Sequence, residues 1–353
     1  MTSRAPILAM LAGAALVPFV ALWPLVQRHG EAMAPAFDLW SARMFWVTIL
    51  LTLGAFIALR DRWLGAAVGL GALDLFLLPI ASWGRSTVTL FAFGALGLVW
   101  VRTWSASARA MAGHVLGAVA ILESLVMLGQ MLGVNPLWGS WIPGPSVMVT
   151  GTLGNTAFAA MLVAMTGPFA PVAVWGLFVA VLIGAQSKIA LLAFTVACGV
   201  RLLPVRWAAG AIVGALAVFL LGLILTPSGH ARLWIWAASL KDLTPFGTGL
   251  GLAPIIQTPG GIGAAYDPAG WQNAHSEPIQ WVRERGLFGA CLLGAFLVTL
   301  RRKLQGPRVA LAGFAAVAVV ALAQSPFHHI ATSPLAVIIV GLATPLTSDP
   351  TGA

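Results

Sequence analysis

The chain has 353 residues, of which 59% are hydrophobic and only 8% charged, and its mean hydropathy is +0.94. A soluble globular fold cannot bury that much apolar surface, so an all-α, polytopic transmembrane helical bundle is expected. The net charge of +9 and the sequence pI of about 11.2 do not read as nucleic-acid binding, because the longest basic run is Arg301-Arg302-Lys303 and no aromatic residues interleave with it.

In chain order, about twelve apolar runs are expected to span a bilayer: 5–26, 43–59, 63–81, 86–101, 110–132, 155–167, 169–185, 188–200, 207–226, 279–300, 308–324 and 328–346. They form one integral membrane domain over 1–353. The first run is longer than a signal-peptide core and lacks a clear small-residue cleavage site, so it reads as a retained span. The run at 188–200 is short for a full crossing and suits a helix that extends at its ends or a locally thin bilayer. Gly 39 and Pro 22 are high counts that membrane helices tolerate, since neighbouring helices satisfy the freed backbone groups. Cys198 and Cys291 lie in apolar runs and read as small hydrophobes, with no disulfide and no metal site.

Charge gives the orientation. With both termini cytoplasmic, the short inner connections carry Arg4, Arg60, Arg62, Arg102, Arg109, Arg201, Arg206, Arg301, Arg302, Lys303 and Arg308, as the positive-inside rule requires. Connections that short leave no room for a cytoplasmic ATPase, and no GxxxxGK[ST] loop occurs anywhere, so a reaction must be driven by its own substrate.

The two long outer connections, 133–154 and 227–278, are where an active site is expected. The first has no formal charge and is rich in Gly, Pro and Trp, which suits a segment lying at the membrane interface. The second opens with a short amphipathic helix over about 231–241. In it Leu233, Trp234, Trp236 and Leu240 face membrane or bundle while Arg232 and Lys241 approach a polar cavity. A Gly-rich loop follows from Pro245 to Tyr266. Ser276 is expected to cap the next helix, with Glu277 and Pro278 in its first turn.

The segment 274–289, AHSEPIQWVRERGLFG, concentrates ionisable side chains at one helix mouth, where each costs free energy unless it has a task. An unperturbed imidazole, with a pKa of about 6.5, suits a general base near neutral pH, which makes His275 a candidate; the plainer reading is an inert loop histidine. Lys188, Arg232, Arg283 and Arg285 come from three regions of the sequence to one membrane level, a convergence that suits an anion such as a diphosphate. The plainer reading makes each a snorkelling anchor. Glu123 and Asp74 lie within spans and are either functional or paired structurally between helices. His114, His328 and His329 sit at span ends without partners in the sequence. No HExxH or paired-carboxylate motif occurs on the outer side, so metal-independent chemistry without a cofactor is expected.

Four patches together resemble the bacterial O-antigen ligase and polymerase family of membrane glycosyltransferases. Gly151-Thr152-Leu153-Gly154-Asn155 is similar to a GTxGNxN stretch, with Ala157 in place of the second Asn. Gln186-Ser187-Lys188 resembles a Ser-Arg pair opening a span, with Lys for Arg. Arg232-Leu233-Trp234-Ile235-Trp236, followed by Pro245, Gly247, Gly249 and Gly251, looks like an Arg-x-x-Ile-Trp opening and a Pro-x-Gly-x-Gly turn. Ala274-His275-Ser276, Gln280, Glu284, Gly286 and Gly289 resemble an Ala-His-Asn start and a Glu-x-Gly-x-x-Gly close, with Ser276 for Asn and Pro278 for a frequent Tyr. The patches cover 151–289; residues 1–150 agree only in hydropathy.

The resemblance implies glycan transfer at the periplasmic face of the bacterial inner membrane, from an undecaprenyl diphosphate-linked donor to an acceptor hydroxyl on a glycan or lipid such as the lipid A core. It makes His275 the general base and Lys188 and Arg232 the holders of the diphosphate, with Arg285 and Arg283 secondary, and Glu284 and Asn155 supporting. The expected partners are therefore donor, acceptor and membrane lipids, with no nucleic acid. A repeat-unit polysaccharide polymerase and a protein O-glycosyltransferase share that chemistry. From another class, a transporter or flippase for an anionic lipid or solute would use the same cations, though it would more often place them at the midplane between repeated halves, and no internal repeat is present.

Overall fold

The computed structural model describes residues 97–98, 101–134, 149–153, 155–241, 243–245, 247, 274–324, 326–327 and 332–345. The expected spans at 5–26, 43–59 and 63–81, most of that at 86–101, and Asp74, His328 and His329 lie outside them, as do 135–148 and 248–273 of the two long connections.

The described residues are all-α, as composition predicts, and contain no strand. The helices are α1 (Ala106–Met131), α2 (Thr156–Thr166), α3 (Trp175–Gly184), α4 (Lys188–Leu202), α5 (Val205–Leu225), α6 (Pro227–Lys241), α7 (Glu277–Lys303), α8 (Arg308–Ala323) and α9 (Ser333–Ala343). Two of them are long and apolar enough to cross a membrane, Ala106–Met131 and Arg206–Leu225, while α8 and α9 are apolar but shorter. The expected helix at 231–241 begins one turn earlier, at Pro227, because proline is well placed in a first turn and Thr226 offers its hydroxyl to the Gly229 N–H at 3.1 Å.

Local chemistry sets the boundaries. Ser105 accepts from the Ala108 N–H to open α1, and Asn155 Oδ1 accepts from Ala157 N and Phe158 N at 2.9 and 3.3 Å to open α2. Leu203 is extended ahead of Pro204, which ends α4 and turns the chain directly into α5.

The core forms where small residues let backbones approach. α4 and α8 pack most extensively, antiparallel, with Ala190, Ala193 and Ala197 buried on one and Ala312, Gly313 and Ala316 on the other. Phe194 sits edge-on to Trp175 and Phe178, with ring centroids 5.6 and 5.7 Å away.

The bundle has two chemically distinct ends. At one, arginines cap carbonyls that helix termini leave open: Arg102 Nε donates to Thr344 O at 2.6 Å, Arg109 to Trp104 O, Arg201 to Pro168 O and Ala170 O, and Arg308 to Leu203 O. Arg206 and the Arg301-Arg302-Lys303 run share that end, since α5 starts and α7 stops there. All of these are residues expected in the inner connections. At the opposite end lie the last turn of α1, the start of α4, the turn into α6, and the start of α7, where Glu277 Oε1 accepts from Phe327 N just beyond α8.

Candidate functional site

The first patch is held to α1 by two side chains one heptad apart, hence on one helix face. Glu123 accepts from Thr152 N at 2.9 Å and from Thr152 Oγ1 at 2.6 Å. Gln130 accepts from Gly151 N at 2.8 Å and donates to Gly151 O at 3.2 Å. Gly151 has φ 59, and a Cβ there would collide with Glu123 Oε1. Glu123 is therefore tied to a short 3-10 turn between helices rather than to a charge on another helix. Asn155, expected as a supporting residue of the site, spends its side-chain oxygen on capping α2.

The second patch lies beside the first, because Met131, next to Gln130, packs its thioether on Gly184 at the end of α3. Gln186 is then left-handed (φ 52), Ser187 occupies the N-cap position, and exposed Lys188 is the first residue of α4. A cation at a helix N-terminus opposes the macrodipole, so this position favours an anion nearby.

The third and fourth patches interlock. α6 packs on both α5 and α7. Leu233, Trp234 and Leu240 are exposed, in keeping with a membrane-facing side, and Lys241 is exposed too. Trp236 instead turns inward, where its indole Nε1 donates to Ala274 O at 2.9 Å, because the ring's N–H must find an acceptor once half-buried. Arg232 lies one turn before Trp236 on the same face of α6. Its Nε is buried without an acceptor among the described residues, and burial holds its guanidinium below the usual arginine range.

His275 is left-handed (φ 50); among the described residues, it and Gln186 are the non-glycine positions with positive φ. Both stand directly before a serine at an N-cap position, and strained backbone of this kind gathers at functional sites. Ser276 does sit at the N-cap of α7, with Glu277 and Pro278 following, but its side chain makes no capping bond; Glu277 instead reaches Phe327.

Within α7, Gln280, Arg283, Glu284 and Arg285 are all buried rather than interfacial. Gln280 Nε2 donates to Glu284 Oε1 at 2.5 Å, and the Arg285 guanidinium lies over the Trp281 ring at 4.3 Å. Arg283 and Arg285 are two residues apart, so they leave the helix on different sides and do not form one grip.

Gly286 (φ 66, ψ −157) kinks α7 and releases two N–H groups from the helical ladder. Leu287 N donates to Thr244 O at 3.2 Å and Phe288 N to Pro245 O at 3.0 Å, while Trp281 Nε1 reaches across the kink to Gly289 O at 2.7 Å. Gly247 (φ 74) lies against the Glu284 and Arg285 backbone, and a Cβ on either glycine would collide with the other segment. Two glycine motifs far apart in sequence are thus one backbone crossing.

Compared with family models, curated proteins and solved structures, the chain finds no match.

Proposed function

We propose that the chain is an integral-membrane glycosyltransferase of the O-antigen ligase type, with about twelve spans in the bacterial inner membrane, both termini cytoplasmic, and its site facing the periplasm. The observation that carries this reading is that the described parts of four separate sequence patches lie toward one end of the bundle, opposite the arginine-rich end. Support for a membrane setting comes from α5, which exposes Trp207, Val213, Val218, Leu221, Ile224 and Leu225, an apolar surface that water would not tolerate.

In the proposed reaction His275 takes the proton of an acceptor hydroxyl on a glycan or lipid. The acceptor oxygen bonds to the anomeric carbon of the donor glycan as that carbon's bond to the phosphate oxygen breaks. Undecaprenyl diphosphate departs with the bonding pair, and Lys188 and Arg232 balance its added negative charge, the task a divalent cation often performs. The proton on His275 then passes to solvent or to the leaving diphosphate. The donor's phosphate bond supplies the driving force.

The test is transfer by purified, reconstituted protein from an undecaprenyl diphosphate-linked glycan to candidate acceptors. His275→Ala should lower kcat by about 10²- to 10⁴-fold, and Arg232→Ala should weaken donor binding. Full activity in the His275 variant removes the general-base role. Passage of donor into empty liposomes without bond formation points to a transporter instead.

A further inference from the structure

Resting on that reading, we infer that Trp236 and Gln280 are positioning residues that hold His275 in its productive conformation through the peptide that precedes it. Ala274 is fully buried and gripped from two helices at once: its carbonyl accepts from Trp236 Nε1 of α6 at 2.9 Å, and its N–H donates to Gln280 Oε1 of α7 at 2.9 Å. The Gln280 amide has only one workable orientation there. Ala274 N–H demands the oxygen, and the Glu284 carboxylate demands the NH₂ group, which reaches it at 2.5 Å. Glu284 thus orients Gln280.

The next residue, His275, is left-handed, a conformation that a β-carbon disfavours. Left unrestrained, such a residue relaxes to ordinary backbone and its imidazole swings away. With Ala274 fixed on one side and Ser276 beginning α7 on the other, that relaxation is blocked. A displacement on the order of 1 Å at a reacting group can cost about 10²-fold in rate, so bonds to the backbone beside the base govern turnover without touching the donor.

Trp236→Phe keeps the ring and deletes only the N–H, whereas Gln280→Asn shortens the amide so that it cannot reach both partners. The two variants break the grip from opposite sides. In the reconstituted assay each should lower kcat about 10- to 100-fold while the donor KM stays within about threefold and the apparent melting temperature holds. Arg232→Ala, measured alongside, should raise the donor KM as well as lower kcat, because Arg232 both binds the diphosphate and balances its developing charge. Wild-type kcat in both variants while His275→Ala is inactive would overturn the positioning role and leave the transferase reading standing. Loss of kcat together with a collapse of thermal stability in both variants would also overturn it, as a structural contact only. Full activity of His275→Ala strikes the general-base assignment itself, whatever the other two show.

Discussion

At the residue scale the most demanding positions are glycines and a histidine whose backbone lies where side chains are disfavoured. Gly286, at φ 66 and ψ −157, occupies a region that only glycine enters readily, and it faces Gly247 and the Thr244 and Pro245 carbonyls with no space for a methyl group. Gly286→Ala should therefore combine backbone strain with overpacking and destabilise by about 3 kcal/mol or more. A matching fall in apparent melting temperature in detergent, with Gly294→Ala as an unhindered control, checks this. The sequence marked Gly286 as part of a Glu-x-Gly-x-x-Gly pattern. Why it must be glycine was not legible, because the clash comes from a segment some forty residues earlier. The left-handed His275 was equally hidden, since histidine has no intrinsic preference strong enough to announce it.

At the element scale, α1 is at once a candidate span and the anchor of the Gly151 turn. Its ladder of apolar residues was readable as a span, and its buried acid stood out as needing a reason. That reason is Thr152, whose N–H and hydroxyl both end on Glu123. Glu123→Leu strands a buried N–H and should cost about 2 kcal/mol. Glu123→Gln should be nearly neutral, because its amide oxygen still accepts from Thr152 N while the hydroxyl turns to accept from its NH₂ group. Thermal unfolding of the two variants side by side separates a hydrogen-bonding acid from one whose charge matters. α7 shows the converse case: apolar run length marks a span over 279–300 but not the bend at Gly286, which lets the Pro245–Gly247 segment dock.

At the scale of the molecule, the two ends of the bundle carry the orientation. Arg102, Arg109, Arg201 and Arg308 satisfy helix-end carbonyls on one end, and Lys188, Arg232 and His275 lie toward the other. In a variant with Cys198 and Cys291 replaced, Lys188→Cys should react with a membrane-impermeant maleimide applied from the periplasmic side. Arg302→Cys should react only after the inner membrane is opened. Labelling of both from one side sinks the proposed topology.

By itself the sequence determined the all-helical class, the approximate helix boundaries and the asymmetric placement of charge. These follow from local quantities: apolar run length, proline and capping residues, and the sign of short connections. Only the tertiary structure decided that Trp236 turns inward and that Gly247 and Gly286 cross. Each of those depends on a hydrogen bond or a steric limit set by a segment distant in sequence, to which local pattern is blind.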